Sequence, residues 1–447
     1  MLTVPTFFIA CSDDEPAQPT GGTGGATSSS SSNSGGAGTG GTIDPGDAIE
    51  ISGAITEDME LSADESYVLI GIVTVEDGAT LTIPAGTTVF GDKATTGTLV
   101  VKQGGQIDAQ GTKDEPIVFT SQLPAGQRAA GDWGGVILLG RAPINEAGGT
   151  ASIEGLTTDE TYGGGDEGDS SGTLRYVRIE FSGIEISPDN EINGLTLGGV
   201  GNGTTIDHVQ VRHTLDDCFE FFGGTVNASH LVCYRNGDDA FDFDEGYQGN
   251  LQFLFTQAKP GEPNDANGFE SDNDSTTPDV TPRTNPTIWN VTLCGQNGDS
   301  ADQQYGFLFR RGFMATVGNA IVTGWEAGVD FRDTPDTDVT LSDSIFYGNT
   351  VHNVAYAEDG SNQDTEEDDD NGFDEVDWFD MSTNTAETDP MLADCFAATP
   401  DPRPASEIAG GTPSGDAFFD TSATYVGAFR DESDDWMTGA WVSWTAD

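Results

Sequence analysis

The chain has 447 residues and sets 76 Asp and Glu against 16 Lys and Arg, a formal net charge of −60. A surface this acidic repels phosphates and anionic lipid headgroups, which excludes nucleic-acid binding and leaves membrane contact to a covalent anchor alone. The 60 glycines and the scarcity of helical periodicity favour strands joined by tight turns. High salt screens such a charge and divalent cations neutralise it locally, so an exported protein in saline water is expected.

From the N-terminus, Leu2 to Ala10 is a short apolar run ending at Cys11, and Ser12-Asp13-Asp14-Glu15 starts a polar stretch. Residues 1–11 resemble a bacterial lipoprotein signal, in which a small residue precedes the acylated cysteine. Cys11 is therefore the expected lipidation site, which places the protein at the outer membrane or cell surface. The run is short and no Lys or Arg precedes it; a start site further upstream would supply both. Residues 12–46 are rich in Gly, Ser and Thr. They read as a flexible spacer, about 30 Å long at roughly 5–6 Å times the square root of its length. No segment holds 18 uninterrupted apolar residues, so no spanning helix is expected.

The body, residues 47–356, starts with alternating apolar positions over Tyr67 to Val75, followed by Leu81 to Phe90, Leu99-Val100-Val101 and Ile117-Val118-Phe119. Short strands with Gly-containing turns make the first coils of a solenoid. Residues 140 to 172 are Gly- and Asp-rich and are expected to loop outward. A ladder of related segments follows. Asp216-Asp217-Cys218-Phe219-Glu220-Phe221-Phe222 recurs 22 residues later as Asp238-Asp239-Ala240-Phe241-Asp242-Phe243-Asp244. Weaker copies begin at Asn267, Tyr305 and Ala327, and each copy follows an apolar run: Val209-Gln210-Val211, Leu231-Val232-Cys233, Phe253-Leu254-Phe255, Val291-Thr292-Leu293 and Ala320-Ile321-Val322. A strand, a turn and a second strand per repeat make one coil of an all-β, single-stranded parallel β-helix.

An acidic insertion, 357–388, contains Glu366-Glu367-Asp368-Asp369-Asp370. The aromatic-rich segment 389–447 is expected to cap the open end of the solenoid, where strand edges would otherwise stand unpaired. Its tryptophans suit core packing, with a carbohydrate-binding face as the alternative. Cys218, Cys233, Cys294 and Cys395 allow no pairing to be assigned. Cys233 and Cys294 align in one column with Phe255 between them, which exceeds disulfide reach, so buried free thiols are expected.

Trp133 to Gly140, Gly223-Gly224-Thr225-Val226-Asn227, Asp242 to Gly249 and Tyr425-Val426-Gly427-Ala428-Phe429 together resemble a group of bacterial secreted β-helix lipoproteins of the pectate-lyase-like superfamily. The resemblance spans most of residues 50 to 447. It implies export and a right-handed parallel β-helix, and it carries no activity with it.

Side-chain parity then places the acids. Phe219 and Phe221, Phe241 and Phe243, and Phe307 and Phe309 share one parity and should face the core. One outward column reads Glu220, Asp242, Glu270, Leu308, Asp330, and the next reads Phe222, Asp244, Asp272, Arg310, Arg332. Carboxylates stacked at about 4.8 Å repel one another, and Ca²⁺ with its six to eight oxygen ligands would offset this. Asp242, Asp244, Glu270 and Asp272 are the expected cation site, with Glu220 beside it and a second site open at the Asp-Asp turns, which include Asp217 and Asp239. His208 and His230 share a column on adjacent coils; they suit either a transition metal or a stacked surface pair.

Polygalacturonase-like hydrolases carry a similar Asp-Asp-Cys segment, so Asp216, Asp217, Asp238 and Asp239 are acid and base candidates if the chain is an enzyme. The Gly-His-Gly and Arg-Ile-Lys segments of that family are absent, and the Asp-Asp pair repeats as a structural turn does. Arg310 is the candidate base of a calcium-dependent lyase. The expected function is non-catalytic: a tethered monomer that binds cations and a polysaccharide or cell-surface protein. A polysaccharide-degrading enzyme and a structural surface-layer component are the alternatives.

Overall fold

The computed structural model describes residues 45–156, 160–187, 190–261, 266–298, 304–332, 337–356 and 373–446. Cys11, nearly all of the spacer and residues 357–372 of the acidic insertion lie outside them.

Alternation of apolar and polar residues produces strands, and repetition at coil spacing stacks like upon like. The main sheet has 23 strands, and every pairing in it is parallel. In the acidic ladder Phe219 pairs with Phe241, Phe241 with Phe269, Phe269 with Phe307, and Phe307 with Val329. The first two ring pairs lie 5.3 and 5.5 Å apart. These side chains are fully buried, each contributing roughly 2–3 kcal/mol relative to exposure.

A second ladder comprises Thr205–Arg212, Asn227–Tyr234, Asn250–Gln257, Thr287–Cys294 and Met314–Thr323. Each of these strands turns one corner, at His208, His230, Phe253, Asn290 and Asn319, where φ is 57°, 56°, 63°, 59° and 57°. Residues on either side of the corner pair with neighbouring coils and the corner residue does not.

That corner corrects the expected register. Leu254, not Phe253, pairs with Leu231, and Phe253 continues the histidine column. The turn Glu245–Gly249 is one residue longer than the turn Gly223–Val226. A one-residue slip moves each side chain to the opposite face. Cys233 therefore faces Thr256 and Cys294 faces Gln257, in different columns.

The free thiols expected from the sequence are also overturned. Cys218 bonds to Cys233 and Cys294 to Cys395, with Cα atoms 5.7 and 6.3 Å apart, within disulfide reach. The first bridge closes across a single coil. The second ties the solenoid to the C-terminal segment.

The contacts of residues 389–446 lie along a lateral face rather than over an end. Asn319 donates to the Gly411 carbonyl (3.0 Å), Asn290 to that of Tyr425 (2.7 Å), Gln252 accepts from the Asp420 amide (2.8 Å) and Gln210 from that of Ser443 (2.7 Å). The Trp441 amide reaches the Lys113 carbonyl at 3.1 Å. The segment thus runs back across successive coils as a strap, held by outward amides of the strands. The last coils are covered instead by residues 373–386. A short helix there, Glu375–Asp380, is N-capped by Asp374 (2.8 Å to the Asp377 amide). Phe373 and Trp378 each lie 4.8 Å from Phe331, and Phe379 lies 4.8 Å from Phe346.

Candidate functional site

The acidic ladder is built from strands Phe219–Phe222, Phe241–Asp244, Phe269–Ser271 and Tyr305–Phe309. Their register brings the expected columns together: Glu220 pairs with Asp242, Asp242 with Glu270, Glu270 with Leu308, and Leu308 with Asp330. Phe222 pairs with Asp244, and Asp272 follows on the next coil.

These positions were expected to face solvent, but Glu220, Asp272 and Asp330 are buried. The described residues of the 140–172 excursion pack back over this face. Ile144, Ile153 and Tyr162 pack with Ile137, Leu139, Ile192 and Phe222 in a second apolar cluster. Asn145 fastens it by donating to Asn273 Oδ1 (3.0 Å), and its own amide reaches the Glu245 carbonyl (2.8 Å). Tyr162 donates to Glu245 at 2.5 Å. Burial, aided by Glu146 and Asp274, pushes the Glu245 carboxyl up to about 7.

The turn acids form a different kind of ladder. The Asp217 amide donates to Asn193 Oδ1 (3.1 Å), the Asp239 amide to Asp217 Oδ1 (2.7 Å), the Asn267 amide to Asp239 Oδ1, and the Tyr305 amide to Asn267 Oδ1 (2.9 Å). Each side chain satisfies the backbone of the next coil, where an unpaired buried amide would cost about 1–3 kcal/mol. Asn193 and Asn267 belong to this ladder and were not singled out as site residues; Asn267's alignment with the Asp pairs was the one signal present in the sequence.

Burial pushes the carboxyls of Asp217, Glu220, Asp239, Asp242 and Asp244 well above the ordinary carboxylate range, and repulsion from neighbouring acids adds to it. Asp216 rises to about 8 for the same two reasons, with Asp238 its closest opponent. Arg310 balances one end of the pile. Its guanidinium binds Glu270 and makes paired contacts of 2.8 and 2.9 Å with Asp272, which Arg311 also reaches at 2.6 Å. Among the described residues, no Lys, Arg or His forms an ion pair with Asp217, Glu220, Asp239 or Asp242. Asp242 Oδ1 is buried without a hydrogen-bond partner.

Three overlapping groups bring carboxylate oxygens within 4.8 Å of one another: Asp216, Asp217 and Asp238; Asp217, Glu220 and Asp242; and Asp239, Asp242 and Glu270. Hard oxygen donors at this spacing suit Ca²⁺. Asp217 and Asp239 are committed to backbone amides, and an inverting pair needs about 6.5–9.5 Å between carboxyls. Burial alone would lower the pKa of Arg310, but Glu270 and Asp272 outweigh it and raise it, opposite to what a base requires.

The strap carries a cavity of about 420 Å³ lined by residues including Thr399, Asp401, Arg403, Phe429, Met437 and Trp444. Arg403 and Asp401 pair through two contacts of 2.7 Å at its edge. Trp441 is fully buried, whereas Trp444 is only partly so.

No curated protein and no solved structure matches the chain. A family model, the pectate-lyase like beta helix domain, matches residues 53–392, well over half of the chain and all of the acidic ladder. With the parallel coils described above, this match identifies the chain as a member of the pectate-lyase-like β-helix family.

Proposed function

We propose that the chain is a tethered, acidic β-helix of the cell surface that binds Ca²⁺ through its buried carboxylate ladder and holds a glycan or a surface protein without transforming it. One observation carries the reading. Among the described residues, Asp217, Glu220, Asp239 and Asp242 form no ion pair with a Lys, Arg or His, and Asp242 Oδ1 is buried without a hydrogen-bond partner. Such a cluster is stable only when protonated or when a cation sits among the oxygens. The strap cavity, with the Trp444 ring and the Asp401–Arg403 pair, offers the apolar and polar surfaces a sugar ring uses.

Thermal melts with and without millimolar Ca²⁺ test the ion. The wild type should gain about 5 °C or more, and Asp242→Ala with Asp244→Ala should gain little. A wild type that gains nothing sinks the proposal. Release of reducing sugar, or of unsaturated product, from pectin or alginate would favour an enzyme instead. Calcium-driven assembly would favour a surface-layer component.

The tether rests on Cys11 and the polar, Gly-rich stretch behind it. Replacing Cys11 by Ser should move the chain from the membrane fraction to the soluble fraction, by immunoblot. A wild type already soluble counts against the anchor.

A further inference from the structure

The chain has four histidines, and two of them meet at one carboxylate. His208 and His230 occupy adjacent positions of the corner column, and their rings stack 4.1 Å apart. The Nδ1 atoms of both turn to Asp207 Oδ1, at 2.8 and 2.9 Å. These three donor atoms all lie within 4.8 Å of one another.

Neighbouring rings hold the histidines in place. Tyr176 lies on one side, tilted and 4.4 Å from His208, and Phe253 stacks on the other, 4.8 Å from His230. Trp441 meets His208 edge-on at 5.2 Å and Trp436 meets His230 at 5.2 Å. Packing therefore holds both histidines beside Asp207, while the three side chains keep some access to solvent.

We propose that Asp207, His208 and His230 form a binding site for a borderline transition-metal ion, Zn²⁺ or Co²⁺ in character, distinct from the carboxylate ladder. Two imidazole nitrogens and one carboxylate oxygen are the donor set of such ions rather than of Ca²⁺. Zinc bonds of about 2.0–2.1 Å place tetrahedral ligand atoms roughly 3.3 Å apart, so each Asp207–histidine contact opens by about half an ångström, and one of the two rings, now 15° from parallel, turns to aim its in-plane nitrogen lone pair at the ion. Asp207 Oδ1 also accepts from Ser229 Oγ at 2.9 Å, which makes three donors on one oxygen. A cation there would replace that crowding with direct coordination and leave a fourth position to water. Arg175 lies 3.2 Å from Asp207 Oδ2 and is half exposed, so it opposes the ion and can swing away.

The test is a Co²⁺ titration of the full chain, with millimolar Ca²⁺ present to occupy the carboxylate ladder. One equivalent should bind, with visible ligand-field bands of low-coordinate cobalt. His208→Phe and His230→Phe should each abolish the bands. Phenylalanine already stands in this column at Phe253, so the ring stack survives, and a thermal melt checks the fold. Arg175→Gln should tighten binding roughly five-fold by removing a like charge. Absent bands at millimolar Co²⁺, bands that persist in both histidine variants, or an affinity unmoved by Arg175→Gln would each overturn the site. The stoichiometry assumes that Ca²⁺ fills the ladder; loss of the bands in the histidine variants does not, so a failed calcium melt leaves this test standing.

Discussion

Stripped of divalent cations, the protein is expected to lose stability steadily as pH rises from about 4 to 8, and millimolar Ca²⁺ is expected to restore it. The sign follows from the carboxylate ladder. Asp216 titrates near 8 in the fold against 3.8 ordinarily, so the folded chain holds a proton that the unfolded chain releases. The stability from that proton is fully present below 3.8 and is lost as pH climbs through about 8. Asp217, Glu220, Asp239, Asp242 and Asp244 shift in the same direction, and Glu245 adds a window from 4.5 to about 7.

Glu180 acts oppositely. Burial alone would raise its pKa, but Arg178 and Arg212 outweigh burial and hold it at about 2, so its contribution is lost as pH falls from 4.5 through that value. The cation-free protein should therefore be most stable near pH 4 to 5, where Glu180 remains ionised and the ladder protonated. A melting temperature lower by about 5 °C or more at pH 8 than at pH 5 is the expected size. Melts in chelator and in Ca²⁺ across that range measure it. A flat chelator profile would mean that the carboxylates are not coupled as described.

The second large effect is expected at the strap. Trp441 is fully buried against Tyr176, His208 and Trp436, far from the ladder in sequence and on a different face of the coils. Trp441→Ala should destabilise by about 3–5 kcal/mol, the usual loss for a buried tryptophan. The loss should be local. The Cys294–Cys395 bridge still ties the start of the strap to the solenoid, while residues beyond it lose their anchor. Limited proteolysis should then cut within residues 399–446 and leave the coils intact. Cutting throughout the β-helix would show that the strap supports the whole stack and not only its own docking.

Much of this architecture was legible because a solenoid converts sequence spacing directly into spatial neighbours. The Phe219, Phe241 and Phe269 row, and the columns running from Glu220 to Asp330, required only parity and a repeat of known length. The alignment of His208 with His230 was legible for the same reason. The rule failed where the repeat length changed. One extra residue before Asn250 slid Phe253 into the histidine column and separated Cys233 from Cys294, and nothing in the apolar pattern marks which side of a turn absorbs an insertion. The Asn193–Asp217–Asp239–Asn267 ladder was half visible, since the acids repeated but the backbone amides they serve carry no sequence signal.

The acidity, the parallel coils and the inward stacking of phenylalanines follow from the amino-acid order alone, because each depends on composition or on periods of two residues and one coil. Whether the acids stand in water or beneath a cover did not. That was decided when Ile144, Ile153 and Tyr162 packed over Phe222 and the strap crossed the outer faces of distant coils. Contacts between segments a hundred or more residues apart are set by shape and by the amides left unpaired after the strands form, and no local pattern encodes them. The Cys294–Cys395 bridge, 101 residues apart, belongs to that long-range packing, whereas the Cys218–Cys233 bridge and the convergence of His208 and His230 on Asp207 are contacts within one coil or between adjacent coils.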